Sequence, residues 1–87
     1  MQNDKAQDKK LTLNLVGDAV HSLPKYVDMV IVRATTGEFG ILPGRMACVL
    51  TLAPGHLRVM CDGVEHTLDL RSGIASVCND IVTIIAS

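Results

Sequence analysis

Thr36-Gly37-Glu38-Phe39-Gly40-Ile41-Leu42-Pro43-Gly44-Arg45 decides the fold, together with its echo Leu52-Ala53-Pro54-Gly55-His56-Leu57. Glycines at 37, 40 and 44 and a proline at 43 leave no room for a helix, yet Phe39, Ile41 and Leu42 between them need burial. Gly37 and Gly40 permit positive φ or close backbone approach, and Pro43-Gly44 is a turn dipeptide. The stretch therefore reads as a turn, a very short strand from Phe39 to Leu42, a second turn, and a strand from Ala47 to Leu52. Pro54-Gly55 turns again into a strand that starts at His56. No residue in it supplies a nucleophile, a base or a metal cage.

The flanking sequence continues the pattern in both directions. Leu11-Thr12-Leu13-Asn14-Leu15 alternates strictly and puts three leucines on one face, with Gly17-Asp18 ending the strand. Ala19 to Leu23 is a weaker apolar stretch closed by Pro24, an edge or turn signal. Tyr26 to Ala34 is the longest β-rich run, and it reads as one strand with Asp28 and Arg33 near its exposed ends. From His56, alternation places Leu57, Val59 and Cys61 opposite His56, Arg58 and Met60. Asp62-Gly63 predicts a type I′ hairpin that pairs residues 61 with 64 and 59 with 66. Val64 to Leu70 returns, Arg71-Ser72-Gly73 makes a corner, and residues 74–77 and 81–86 form a last hairpin around Cys78-Asn79-Asp80. Strands separated at this spacing by turn chemistry indicate an all-β fold, a single two-sheet β-sandwich or flattened barrel of about eight to ten strands.

Composition narrows the function. A chain of 87 residues is one domain, and its 48% hydrophobic content, rich in valine and isoleucine, suits strands. Residues 1–10 are polar and read as a flexible start, with residues 11–87 as the folded unit. The net charge of −1 and the scattering of charge argue against nucleic-acid binding. Tyr26 and Phe39, the only aromatics, are too few for base stacking or sugar platforms. No apolar run approaches the ~20 residues that span a bilayer, and the start is no secretory signal. A soluble intracellular domain is expected. Cys48, Cys61 and Cys78 have no C-x-x-C spacing and are expected to be reduced, buried thiols.

Catalytic chemistry finds little support. His21, His56 and His66 lie on separate segments with no H-x-E, H-x-H or H-E-x-x-H spacing. Ser22, Ser72, Ser76 and Ser87 lack a nucleophile elbow, and no glycine-rich phosphate loop opens a helix. No catalytic, cofactor or metal residue is assigned.

The run Gly37-Glu38-Phe39-Gly40-Ile41-Leu42-Pro43-Gly44, followed by Pro54-Gly55, resembles the N-terminal domain of the epsilon subunit of F-type ATP synthases, called delta in mitochondria. The likeness continues through Arg71-Ser72-Gly73-Ile74-Ala75-Ser76-Val77 and Ile81 to Ala86, covering roughly residues 10–87. It implies a non-catalytic central-stalk subunit that clamps the gamma subunit to the membrane c-ring and couples ion-driven rotation to ATP synthesis. In that frame the loop Thr36, Gly37, Glu38 and Phe39 faces the c-ring, while Gly44, Arg45 and Met46 are candidates to face gamma. Phe39 is read as packing into the sandwich rather than projecting. Location follows from the complex: the cytoplasmic face of an energy-transducing membrane, bacterial by preference, with membrane contact only through the assembly. Such a role asks one sheet to expose more apolar surface than a free monomer needs.

Three positions depart from the family pattern. Arg45 stands where histidine is usual, Ala47 where proline is usual, and Ser72-Gly73 where two glycines are usual. The first departure weakens any contact with gamma carried over to Arg45. Family members often continue into an inhibitory C-terminal helical hairpin. The sequence given stops at Ser87, so coupling without inhibition or ATP binding by that arm is expected. Two other classes fit the composition: a stand-alone small-ligand-binding sandwich and a small metal-dependent β-barrel enzyme.

Overall fold

The computed structural model describes residues 9–17, 23–44 and 47–86. Within them the chain is all strand: β1 (Leu11–Gly17), β2 (Tyr26–Val27), β3 (Met29–Ala34), β4 (Gly37–Ile41), β5 (Cys48–Leu52), β6 (Gly55–Cys61), β7 (Val64–Leu70), β8 (Gly73–Cys78) and β9 (Ile81–Ala86). The weak stretch read at Ala19 to Leu23 falls mostly outside the described residues, as do Arg45, Met46 and the first eight residues.

The strands follow one another in the order β2-β1-β9-β8-β5-β3-β6-β7, with β4 paired to β3. This path folds over on itself into a flattened, partly closed barrel. One layer is β2-β1-β9-β8-β5; the other is β4-β3-β6-β7. Residues 26–34 stitch the layers together. Tyr26 and Val27 pair with Thr12 and Leu11 of β1. Met29 to Ile31 pair with β6, and Ala34 meets Leu52 of β5 at a single rung. Thr35 donates to the Thr51 carbonyl and Ala53 to the Arg33 carbonyl, both at 2.9 Å, which reinforces that corner.

The run from Tyr26 to Ala34 is therefore two strands, not one. Asp28 is the break. Its N–H donates to the Met60 carbonyl at 2.8 Å, and its carboxylate takes Lys10 and the N–H of Asp62. These bonds bend the chain from the edge of one layer into the middle of the other. Lys10, read as part of the polar start, is held there by Asp28 and Asp62.

Both late hairpins turn on residues with positive φ. Asp62 and Gly63 have φ of 52° and 80°, and their flanks pair Cys61 with Val64 and Val59 with His66, as the spacing requires. Asn79 and Asp80 have φ of 51° and 63° and close β8 onto β9. The β1–β9 pairing is parallel, Leu13 opposite Val82 and Leu15 opposite Ile84.

Alternation decides what is inside. Leu11, Leu13, Val27, Val30, Val32, Ile41, Leu52, Leu57, Val59, Ala75, Val77, Val82 and Ile84 form one buried cluster between the layers. Each fully buried valine, leucine or isoleucine contributes about 1.5–3 kcal/mol relative to exposure. The three cysteines are free, but none is fully buried: Cys48 and Cys61 are half-buried and Cys78 is exposed. Val77 takes the inward position in β8, so its neighbour points outward.

Candidate functional site

β3 and β4 form a hairpin whose tip is Thr35-Thr36, with Ala34 paired to Gly37 and Arg33 to Glu38. Gly37 has φ of 140°, a conformation L side chains rarely adopt, and β4 consequently starts at residue 37 rather than at Phe39. Thr36, Gly37 and Glu38 are exposed. Phe39 is half-buried, paired with Val32 and packed against the core. The tip borders an open hollow of about 510 Å³ lined by Arg33, Ala34, Thr35, Thr36, Gly37, Glu38 and Ala53.

Gly44 lies beyond the other end of β4. Its N–H donates to Asp80 Oδ1 at 2.7 Å, which fixes the Pro43-Gly44 turn to the β8–β9 hairpin. The candidates at Gly44 and those at Thr36 to Phe39 thus occupy opposite ends of one five-residue strand. Arg45 and Met46, the other two gamma-facing candidates, lie outside the described residues.

The outer faces of the two layers differ in chemistry. On β4-β3-β6-β7, Arg58 sits between two acids, with Nε on Glu65 at 3.1 Å and an Nη 3.7 Å from Glu38. His56 Nδ1 bonds Asp69 on the neighbouring strand. On β2-β1-β9-β8-β5 the outward positions are Tyr26; Thr12, Asn14 and Val16; Ile81, Thr83 and Ile85; Ile74, Ser76 and Cys78; Val49 and Thr51. None is charged, in a chain whose residues are 20% charged. Val16, Ile85 and Ile74 stand side by side across β1, β9 and β8, exposed by 49, 52 and 47%. Val49, at 69%, lies on the same face. Depletion of charge around exposed aliphatic side chains is the composition of an interface centre.

The sequence reading asked one sheet to show excess apolar surface but named no residues for it. The signal is in the odd-even pattern: at β1, β8 and β9 the outward alternates are threonine, serine, asparagine, cysteine, valine or isoleucine, where a solvated face would carry lysine or glutamate.

Among the described residues the titratable groups do not converge on one site. His56 and His66 point to opposite sides of the β6–β7 ribbon, and His21 lies outside the described residues. Among the described residues, no three His, Cys, Asp or Glu side chains gather as a metal cage. Hydrogen bonds from Lys10, and then from the Asp62 backbone, hold the Asp28 carboxyl below its ordinary range. Hydrogen bonds to the carboxylates of Asp28 and then Asp62 raise Lys10. Desolvation, and next the negative charge of Asp62, push the Cys61 thiol up. These shifts belong to a structural clasp that joins Lys10, the β2–β3 break and the β6–β7 turn.

Comparison with known proteins agrees with this geometry. Residues 10–87 match the family model for the ATP synthase delta/epsilon chain, beta-sandwich domain. The ATP synthase epsilon chain of Citrifermentans bemidjiense is 36% identical over 77 residues, covering 88% of this chain and 56% of the relative. Subunit delta' of the mitochondrial ATP synthase of Pisum sativum is 42% identical over 80 residues, covering 88% of this chain and 40% of the relative. A chain in the cryo-EM structure of the Euglena gracilis mitochondrial ATP synthase, OSCP/F1/c-ring, superposes with a TM-score of 0.79 at 29% identity. That match covers 88% of this chain and 50% of the other. The chain thus spans about half the length of the relatives it matches. It belongs to the ATP synthase delta/epsilon chain family, as its beta-sandwich domain.

Proposed function

We propose that this chain is a non-catalytic central-stalk component of an F-type ATP synthase, peripheral to the cytoplasmic face of an energy-transducing membrane. It clamps the gamma subunit to the c-ring so that ion-driven rotation is transmitted to ATP synthesis. The observation that carries this reading, beside the family, is the uncharged outer face of β2-β1-β9-β8-β5. A torque-bearing contact needs a stiff body and a broad apolar patch, and no reactive group. A doubly layered sheet with a continuous core supplies the stiffness. The tip Thr36 to Phe39 offers small polar residues and one acid, suited to the polar loops of the c-ring. Gamma then takes the uncharged face, with Gly44, Arg45 and Met46 as further candidates for its contact.

The test is titration of this chain with a gamma subunit from the same source, followed by calorimetry and size exclusion. A one-to-one complex is expected. Val49→Glu and Ile85→Glu, both at exposed positions, should each weaken it by about tenfold or more while leaving the fold intact. Charge reversal at Arg45 tests the second candidate contact. No association at concentrations on the order of tens of micromolar would overturn the stalk reading.

A further inference from the structure

Among the described residues β7 pairs with β6 alone, so Val64 to Leu70 is a seven-residue open edge. Edges of this length are usually blunted by charged side chains, lysine above all, by a proline or by a bulge, and the charges of β7 are the acids Glu65 and Asp69. β7 has no lysine or proline, and its register with β6 is unbroken from Val64 to Leu70. Asp62-Gly63 is a two-residue turn, so Cys61 and Val64 exchange both hydrogen bonds, as does every second pair after them. The N–H and C=O groups of Glu65, Thr67 and Asp69 consequently point away from β6, toward the open edge.

The side chains of that edge are sorted by face. Glu65 and Asp69 stand outward and exposed, Glu65 touching Arg58 and Asp69 touching His56 of β6 on one side, with the open edge on the other. Val64, His66, Leu68 and Leu70 face the interior side and are only partly covered, Val64 remaining 54% exposed. A second copy fits poorly in the register that uses the whole edge. Antiparallel pairing of two β7 strands about Thr67 sets Glu65 against Asp69 twice, and like charges directly opposite are destabilising. The same acids favour a strand with cations at those two positions.

We propose that β7 is a strand-addition site for an extended segment of a partner polypeptide that alternates basic and aliphatic residues. Its basic side chains lie opposite Glu65 and Asp69, and its aliphatic ones lie opposite His66 and Leu68, with Val64 and Leu70 as diagonal neighbours. Main-chain hydrogen bonds to Glu65, Thr67 and Asp69 supply affinity, and the two acids set the choice of partner. This goes beyond the stalk reading and does not depend on it.

The probe is a synthetic peptide with the core Lys-Val-Thr-Ile-Lys, N-methylated along its outer edge to stop self-association, with Glu-Val-Thr-Ile-Glu as its control. Binding is followed by amide chemical shifts and hydrogen exchange on the isotopically labelled chain. The basic peptide should protect the amides of Glu65, Thr67 and Asp69 and bind at least about tenfold more tightly than the acidic one. Thr67→Pro removes an outward N–H that β6 does not use, and should abolish binding without changing the circular dichroism spectrum. The double variant Glu65→Lys, Asp69→Lys should invert the preference, which keeps the test decisive should the proline variant misfold. Equal binding of both peptides, no binding, or shifts confined to other strands would overturn the proposal.

Discussion

Asp28 Oδ1 accepts the ammonium of Lys10 at 2.9 Å, while its Oδ2 accepts the backbone N–H of Asp62 at 2.8 Å. One side chain thus ties the start of the folded chain to the β6–β7 turn at the point where residues 26–34 change layers. A linkage of stability to pH follows. Asp28 is lowered from 3.8, so its contribution is present above that value and is lost as pH falls through the lower folded-state pKa. Lys10 is raised from 10.5, so its contribution is complete below that value and is lost only at still higher pH. The urea midpoint of wild type should exceed that of Asp28→Asn by a constant amount between about pH 5 and pH 10, and the gap should close in strong acid. A gap that persists unchanged at about pH 2 would show that the contact acts through packing and not through charge.

The thiols should differ in reactivity. Cys61 donates to the Tyr26 carbonyl at 3.4 Å, is half-buried, and has its thiolate disfavoured by desolvation and by Asp62. Cys78 is exposed beside the Asn79-Asp80 turn. A maleimide or disulfide reagent near neutral pH should modify Cys78 first, with Cys61 slower by about tenfold or more. Raising the pH past 9.0 should accelerate Cys61, since its ordinary value is the lower bound for its ionisation. Mass spectrometry of labelled peptides over time reads the order directly, and faster labelling of Cys61 would contradict the contact with Tyr26.

Much of this architecture is legible in the chain because period-2 patterning and turn dipeptides are local. Asp62-Gly63 announces its hairpin and register, and Leu57 with Val59 announces the buried face. The break at Asp28 is not local. It depends on Lys10 and Asp62, which lie 18 and 34 residues away, and the apolar run around it argues for one continuous strand. The parallel pairing of β1 with β9 is hidden for the same reason: nothing in Leu11 to Leu15 names a partner some 70 residues distant. The candidate site divides similarly. The hairpin tip follows from glycine and turn chemistry, whereas the uncharged face appears only when register aligns Val16, Ile85 and Ile74.

Glu38, the acid of the hairpin tip, is steered by a neighbour. Arg58 holds Glu65 closely and Glu38 more loosely, at 3.1 and 3.7 Å. In an exposed pair of this kind the interaction contributes about 0.2–1 kcal/mol. A double-mutant cycle of Glu38→Gln with Arg58→Gln should give a coupling in the lower half of that range, and the Arg58–Glu65 cycle a larger one. Adding salt to about 1 M should bring both close to zero. Equal couplings in the two cycles would mean that Arg58 divides its time evenly between the acids.

Two glycines on this barrel make opposite predictions despite similar crowding. A methyl group at Gly40 would meet Met29 Cε at 2.7 Å, and at Gly73 it would meet the Ile85 carbonyl oxygen at 2.3 Å. The methionine contact is the end of an unbranched side chain that can swing aside. The carbonyl is fixed within the β8–β9 ladder, where Gly73 pairs with Ala86 and Ile74 with Ile85, so relief requires the strands to part. Gly40→Ala should therefore cost less than about 1 kcal/mol, with the lower conformational freedom of alanine in the unfolded chain offsetting part of it. Gly73→Ala should cost about 3 kcal/mol or more and lower the urea midpoint accordingly. Comparable stability of the two variants would mean that the corner yields to a side chain, and the stiffness assigned to this layer would have to come from its core instead.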